Sequence, residues 1–300
     1  MKYKHLAGIG FATIFGLSFL FSKQALNYVS PMGLIAYRFL IAWILFVILI
    51  LFKIVKIQYS KHMIKYLILT ALFQPVIYFI AETYGLMYIS SGESGLMIAL
   101  IPIFVTLLSA WILKEKPKKI QYLFIFLSFI GVIIIQVNQL NSSSSYTRGY
   151  ILLFIAVIAA SLFNISSRYV SKEISPQTST FFMTSAGALV FNIIYLLQLF
   201  SKGELNKYIL NLEHIELLLP ILYLSIFASV LAFFLVNLTL KHMEAHVSSI
   251  YSNISTVIAL IAGMVILHEH LYIYHYIGAL LIIIGVYGTV KFQKNKRKLN

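Results

Sequence analysis

The stretch AWILKEK, residues 110–116, returns late in the chain within GMVILHEH, residues 263–270, and this recurrence decides how the chain is divided. Glu115 falls on Glu269. In the runs that follow, Gly131 of SFIGVIII falls on Gly285 of LIIIGVYG, again 154 positions on (269 − 115 and 285 − 131). Earlier residues repeat as well: VSPMG overlays ISPQT with Pro31 on Pro176, an offset of 145 (176 − 31). The nine-residue difference (154 − 145) falls in the longer loop after the seventh apolar run of the chain. Fixed offsets are not what two unrelated apolar halves would show.

Composition says where such halves reside. Of 300 residues 60% are hydrophobic and 11% charged, with mean hydropathy +0.91. An ordinary soluble domain is roughly half apolar and a quarter charged, so a soluble globule is excluded. The chain has no cysteine and no aspartate, which removes disulfides, thiolate metal sites, cysteine nucleophiles and aspartate-based metal motifs. A bilayer core about 30 Å thick needs roughly 20 apolar residues per helix. The apolar runs supply ten such pieces, at about 6–22, 34–52, 64–86, 94–113, 120–137, 151–167, 179–197, 218–240, 248–267 and 274–291. The expected fold is an all-α membrane protein of ten transmembrane helices. Residues 1–140 form a first five-span repeat, 141–149 a serine-rich linker, 150–292 a second repeat and 293–300 a basic tail. Five is odd, so the two copies must lie in the bilayer with opposite orientation, the plan of many alternating-access carriers.

The formal charge of +14 lies at helix ends. With the N-terminus in the cytoplasm, the inner loops collect residues such as Lys53, Lys56, Lys61, Lys65, Lys114, Lys116, Lys118, Lys119, Arg168, Lys172 and Lys241. The outer loops hold Lys23, Arg148, Lys202 and Lys207. The positive-inside rule therefore places both termini in the cytoplasm. The tail KFQKNKRKLN reads as an anchor near anionic lipid, with no nucleic-acid partner expected. The first run follows lysines, as a signal peptide does, but lacks an A-x-A cleavage site and is repeated, so it reads as a permanent span.

Beyond the repeat, FGLSFLFSKQAL, SPMGLIAYRFLIA, GLMYISSGESGLMIALIPIFVTLLSAWILKEK and YSNISTVIALIAGMVILHEHL resemble the EamA type of the drug/metabolite transporter superfamily, and the likeness covers nearly the whole chain. The resemblance implies a secondary carrier of a small organic metabolite in the bacterial inner membrane, with export ahead of import and no enzymatic activity or cofactor. It also implies that Glu115 and Glu269 belong to the scaffold. In that family the repeat partner of Pro102 is often proline, whereas this chain has Thr256. Uptake of a nucleotide, sugar or cofactor precursor is the alternative carrier reading. A non-transporting subunit or an intramembrane enzyme is the alternative of another class, and the enzyme lacks a paired acid or base at membrane depth.

Charged side chains inside spans are costly and mark function by default. There are two, Glu82 and Arg38, and neither is repeated: Glu82 maps to Val236 and Arg38 to Met183. Glu82 follows Pro75 by seven residues, roughly 10 Å along a helix, and Arg38 is expected at similar depth. Three accounts compete: a proton-carrying Glu82 with protons as coupling ion, an ionised pair that gates or clamps a zwitterion, and snorkelling to the interface. Gln74, Tyr78 and Glu82 recur every fourth residue and are expected to line one wet face, with Pro75 freeing the Ala71 carbonyl at its centre and Pro102 freeing the Ile98 carbonyl near Met97. Ser18, Asn164, Asn237, Tyr251 and Asn253 complete the expected substrate-binding set. Each alone reads more simply as an interhelical hydrogen bond. The ladders Gly8, Ala12, Gly16 and Ser255, Ala259, Gly263 read as close helix packing. His268, Glu269, His270 and His275 lack a metal-binding helical spacing and read as a solvated loop.

Overall fold

A computed structural model describes residues 2–58, 60–85, 87–88, 97–136, 147–210, 214–266 and 272–292. Most of the expected linker (141–146), the tail 293–300, and His268, Glu269 and His270 lie outside the described residues. The helices are α1 (Lys2–Ala25), α2 (Pro31–Leu51), α3 (Lys61–Gly85), α4 (Ile101–Ile112), α5 (Lys119–Gln136), α6 (Thr147–Val170), α7 (Pro176–Ser201), α8 (Lys207–Leu210), α9 (Ile215–His242), α10 (Ala245–Ser249), α11 (Ser252–Ile266) and α12 (Ile273–Lys291). Seven of them, α1, α2, α3, α6, α7, α9 and α12, contain stretches long and apolar enough to cross a membrane. α4 and α5 are shorter apolar helices. The ninth expected piece is divided at Ile250 and Tyr251 into α10 and α11.

Local chemistry explains the helix starts. Ser30 accepts a hydrogen bond from the Gly33 amide at 3.2 Å, and Pro31 opens α2 at a position where its missing N–H is no loss. The repeat reproduces this: Ser175 accepts from the Thr178 amide at 3.2 Å and Pro176 opens α7. Both helices thus begin three residues before their apolar runs. Pro102 behaves likewise, sitting in the first turn of α4. Residues 97–98 are helical, 99–100 form a turn and α4 begins at Ile101, so the helix is interrupted just before Pro102, which fits the new first turn without displacing a bond.

Packing respects the repeat. The correspondence is α1 with α6, α2 with α7, α3 with α9, α4 with α11 and α5 with α12. α1 packs on α11 and α9, while its counterpart α6 packs on α4 and α3. α2 meets α9, and α7 meets α3. Two further pairings, α2 with α7 and α5 with α12, join counterparts directly.

These counterparts run antiparallel. A Cβ on Gly131 would meet the Gly278 carbonyl oxygen at 2.6 Å, and one on Gly285 would meet the Phe124 carbonyl oxygen at 2.6 Å. As the number rises on α5 it falls on α12. In the other pair, Asn192 Nδ2 donates to the Ala36 oxygen at 3.1 Å, and further along Phe181 packs against Phe46 with ring centroids 6.1 Å apart. From the small-residue ladders, Gly16 of α1 meets Ser255 of α11, where a Cβ on Gly16 would lie 2.8 Å from the Ser255 oxygen. At the centre, Phe39 contacts Phe79 and Phe191 at 5.2 and 5.3 Å, and Phe79 contacts Phe233, its own repeat counterpart (233 − 79 = 154), at 6.2 Å.

Candidate functional site

α3 carries the stretch that holds Gln74, Pro75, Tyr78 and Glu82, and it is not one regular helix. Residues Leu72–Ile77 form a wider π turn in which Gln74 has extended dihedrals, φ −146° and ψ 118°. Its repeat counterpart in α9 is wound the same way over Tyr223–Leu231. Adding 154 to 72–77 gives 226–231, inside that segment. Wide turns leave backbone groups free and recur at functional positions. The change of winding at Gln74 takes it out of strict register with Tyr78 and Glu82, so the expected stripe is continuous only between the latter two. All three side chains are buried.

Arg38 and Glu82 both lie inside the protein, with relative exposures of 5% and 9%. Snorkelling is inconsistent with this burial. Arg38 donates from Nε to Ser229 Oγ at 2.6 Å, on the wide segment of α9. Its guanidinium carbon sits 4.6 Å from the Phe79 ring centroid and 5.7 Å from that of Phe39, an arrangement in which the ring quadrupole favours the cation. Glu82 Oε1 accepts from the Tyr78 hydroxyl at 2.9 Å, one turn back on α3. No ion pair within 4.0 Å joins Arg38 to Glu82. Arg38 has five N–H donors and uses one on Ser229; Glu82 has a second oxygen beyond the one Tyr78 engages. The arrangement presents a cation held by Ser229 over aromatic rings and a carboxylate held by Tyr78.

The other expected residues separate into two groups. Asn237 is committed to packing: it accepts from Ser167 Oγ at 2.6 Å and donates to Thr180 Oγ1 at 3.0 Å, tying α6, α7 and α9 together. Asn253 donates to Ser128 Oγ at 3.0 Å across to α5, and the Tyr251 hydroxyl lies 2.7 Å from His5 Nδ1 on α1. Ser18 and Asn164 bond only carbonyls of their own helices, Phe15 at 2.8 Å and Ala160 at 2.9 Å, leaving the Asn164 side-chain oxygen available. Met97 is half-buried beside α4. His275 is buried and accepts from the Tyr272 amide at 2.9 Å, so the expected solvated-loop reading does not hold for it. Sequence reasoning missed Ser229, Phe79 and Phe233. The available signal was positional, since Phe233 repeats Phe79 and Ser229 repeats Pro75. Among the described residues, no group of three or more His, Cys, Asp or Glu side chains could hold a metal ion.

The chain belongs to the EamA-like transporter family, whose model matches residues 2–137 and again residues 147–291. Two family units in one chain are duplicated halves, and the family makes this a multi-pass membrane transporter of small molecules, with non-enzymatic function implied. It is similar to YcxC of Bacillus subtilis, an uncharacterized transporter, at 34% identity over 98% of this chain and 95% of that protein. It is also similar to a probable amino-acid metabolite efflux pump of Salmonella typhimurium, at 23% identity over 92% and 91%. A solved crystal structure matches with a TM-score of 0.78 at 16% identity, covering 96% of this chain and 98% of that one, a likeness of fold.

Proposed function

We propose that this transporter is a secondary carrier that exports a small zwitterionic metabolite, an amino acid or close relative, by alternating access. The observation that carries the reading is the placing of Arg38 and Glu82: both buried, each held by a neutral partner, and not joined to each other. Two opposite charges that neutralised one another directly would offer a ligand little. Held apart, they offer a carboxylate the donors of Arg38 and an ammonium the free oxygen of Glu82. Gln74 and Asn164 are the polar side chains retained for the rest of the ligand. The Salmonella relative's name agrees with this substrate class.

The halves, residues 1–140 and 150–292, are taken as inverted copies with both termini cytoplasmic. The antiparallel run of α5 against α12 and of α2 against α7 supports the inversion, and the basic loops support the orientation. Protons are the proposed coupling ion, taken up at Glu82. The test is metabolite profiling of cells with and without the protein, followed by flux in membrane vesicles for each compound that changes. Protein-dependent flux of a zwitterion is expected; protein-dependent flux confined to sugars or nucleotides would reject the reading.

A further inference from the structure

The face of the molecule that carries the start of α1, where Tyr3 lies against His242, holds a second charged assembly. Arg168, in the last turn of α6, is buried. Its Nε donates to Glu115 Oε1 at 2.8 Å, and its Nη1 donates to the oxygens of Leu240 and Lys241 at 2.6 and 3.1 Å. Those carbonyls belong to the last turn of α9 and have no partner within the helix. Glu115 Oε2 accepts from the Ala245 amide at 2.9 Å, where α10 begins. One side chain from the first half, following α4, is thereby bound to two segments of the second half, α6 and the start of α10, and through Arg168 is linked to the end of α9. Among the described residues the other ion pairs are either exposed or depend on a histidine.

We propose that Glu115 and Arg168 form the latch that holds this mouth of the transport pathway shut, and that its opening admits solvent to Asn164 on α6 and, past it, to the side chains of α3. The proposal rests on the transporter reading, but not on the substrate. Arg168 lies one turn beyond Asn164 on the same face of α6, the helix that packs on the segment of α3 bearing Tyr78 and Glu82. A buried ion pair adds little net stability, because desolvation offsets its attraction, and on this proposal its role is to mark the closed state. When the mouth opens, water solvates both groups and restores what burial removed. The closed and open states are then near in energy, as a gate requires.

The chain has no native cysteine, so a single Asn164→Cys reporter can be labelled with a membrane-impermeant maleimide from either side. In vesicles exposing the face with Arg168, Glu115→Gln should speed labelling about tenfold, within the usual range of conformational coupling. Glu115→Asp should restore part of the slow rate. Unchanged labelling from this face, or faster labelling from the opposite face, would overturn the latch. Should Glu115→Gln fail to fold, Arg168→Lys decides: it keeps the positive charge facing Glu115 but loses the fork that binds the Leu240 and Lys241 oxygens, so Asn164→Cys should again be labelled several-fold faster from this face, and an unchanged rate would overturn the proposal.

Discussion

Gly131→Ala tests the helix pairing on which the inverted arrangement depends. The added Cβ would lie 2.6 Å from the Gly278 oxygen, 2.9 Å from the Ile282 amide nitrogen and 3.0 Å from Ile282 Cγ1. Carbon contacts settle at about 3.5–4.0 Å, so α5 and α12 must separate by roughly 1 Å. Two of the three obstacles are backbone and cannot rotate away. Overpacking of this kind costs about 2–3 kcal/mol, and alanine returns roughly 1 kcal/mol through helix propensity. The net loss of about 1–2 kcal/mol corresponds to a fall in melting temperature of about 2–8 °C in detergent, on the scale of larger domains. Gly285→Ala should behave alike, since its Cβ would meet the Phe124 oxygen at 2.6 Å. Gly10 supplies the control: only Leu235 Cδ1, the end of a flexible side chain, lies near at 3.1 Å, so Gly10→Ala should leave the midpoint level or raise it. If all three variants shift the midpoint together, α5 and α12 do not cross as described.

Asn237→Leu should lower stability by about 1–3 kcal/mol by leaving the Ser167 and Thr180 hydroxyls without their partner, while ligand affinity per folded molecule stays the same; thermal melting and binding on one preparation separate the two. Ser229→Ala removes the hydrogen bond that fixes the Arg38 guanidinium, a charged bond of about 1.5–3 kcal/mol. Ligand Kd should rise by about ten- to a hundredfold, and an unaltered Kd would show that Ser229 does not position Arg38. In intact cells Arg148→Cys should react with an impermeant thiol reagent and Lys118→Cys should not, since both side chains are exposed and the proposed topology puts them on opposite sides. The reverse pattern would invert the orientation.

Much of the architecture was legible because membrane sequence is written in a few strong signals. Apolar length marked the seven long helices among the described residues, Ser-Pro marked the starts of α2 and α7, and constant offsets matched α2 with α7 and α5 with α12, which pack on each other. Arg38 and Glu82 stood out because charge in apolar runs is rare. What sequence could not give was the partner of each polar group. Asn237, Asn253 and Tyr251 carry the same signature whether they face a ligand or a neighbouring helix, and only the positions of Thr180, Ser128 and His5 decide the matter. Arg168 fell at the end of a run and counted only toward orientation; its bonds to Glu115 and to the end of α9 span residues far apart in sequence. Pro75 announced a break in α3, whereas nothing in YLSIFASVL announced the same winding in α9 except its place in the repeat.

The central claim is that Arg38 and Glu82 hold the two ends of a zwitterion. The most direct measurement is counterflow in proteoliposomes with an amino acid found by profiling, competed by its decarboxylated amine and its deaminated acid. The account predicts that neither analogue competes as the parent does, that Arg38→Gln removes the preference for the carboxylate, and that Glu82→Gln removes the preference for the amine. Equal competition by all three compounds, unchanged in both variants, would contradict it.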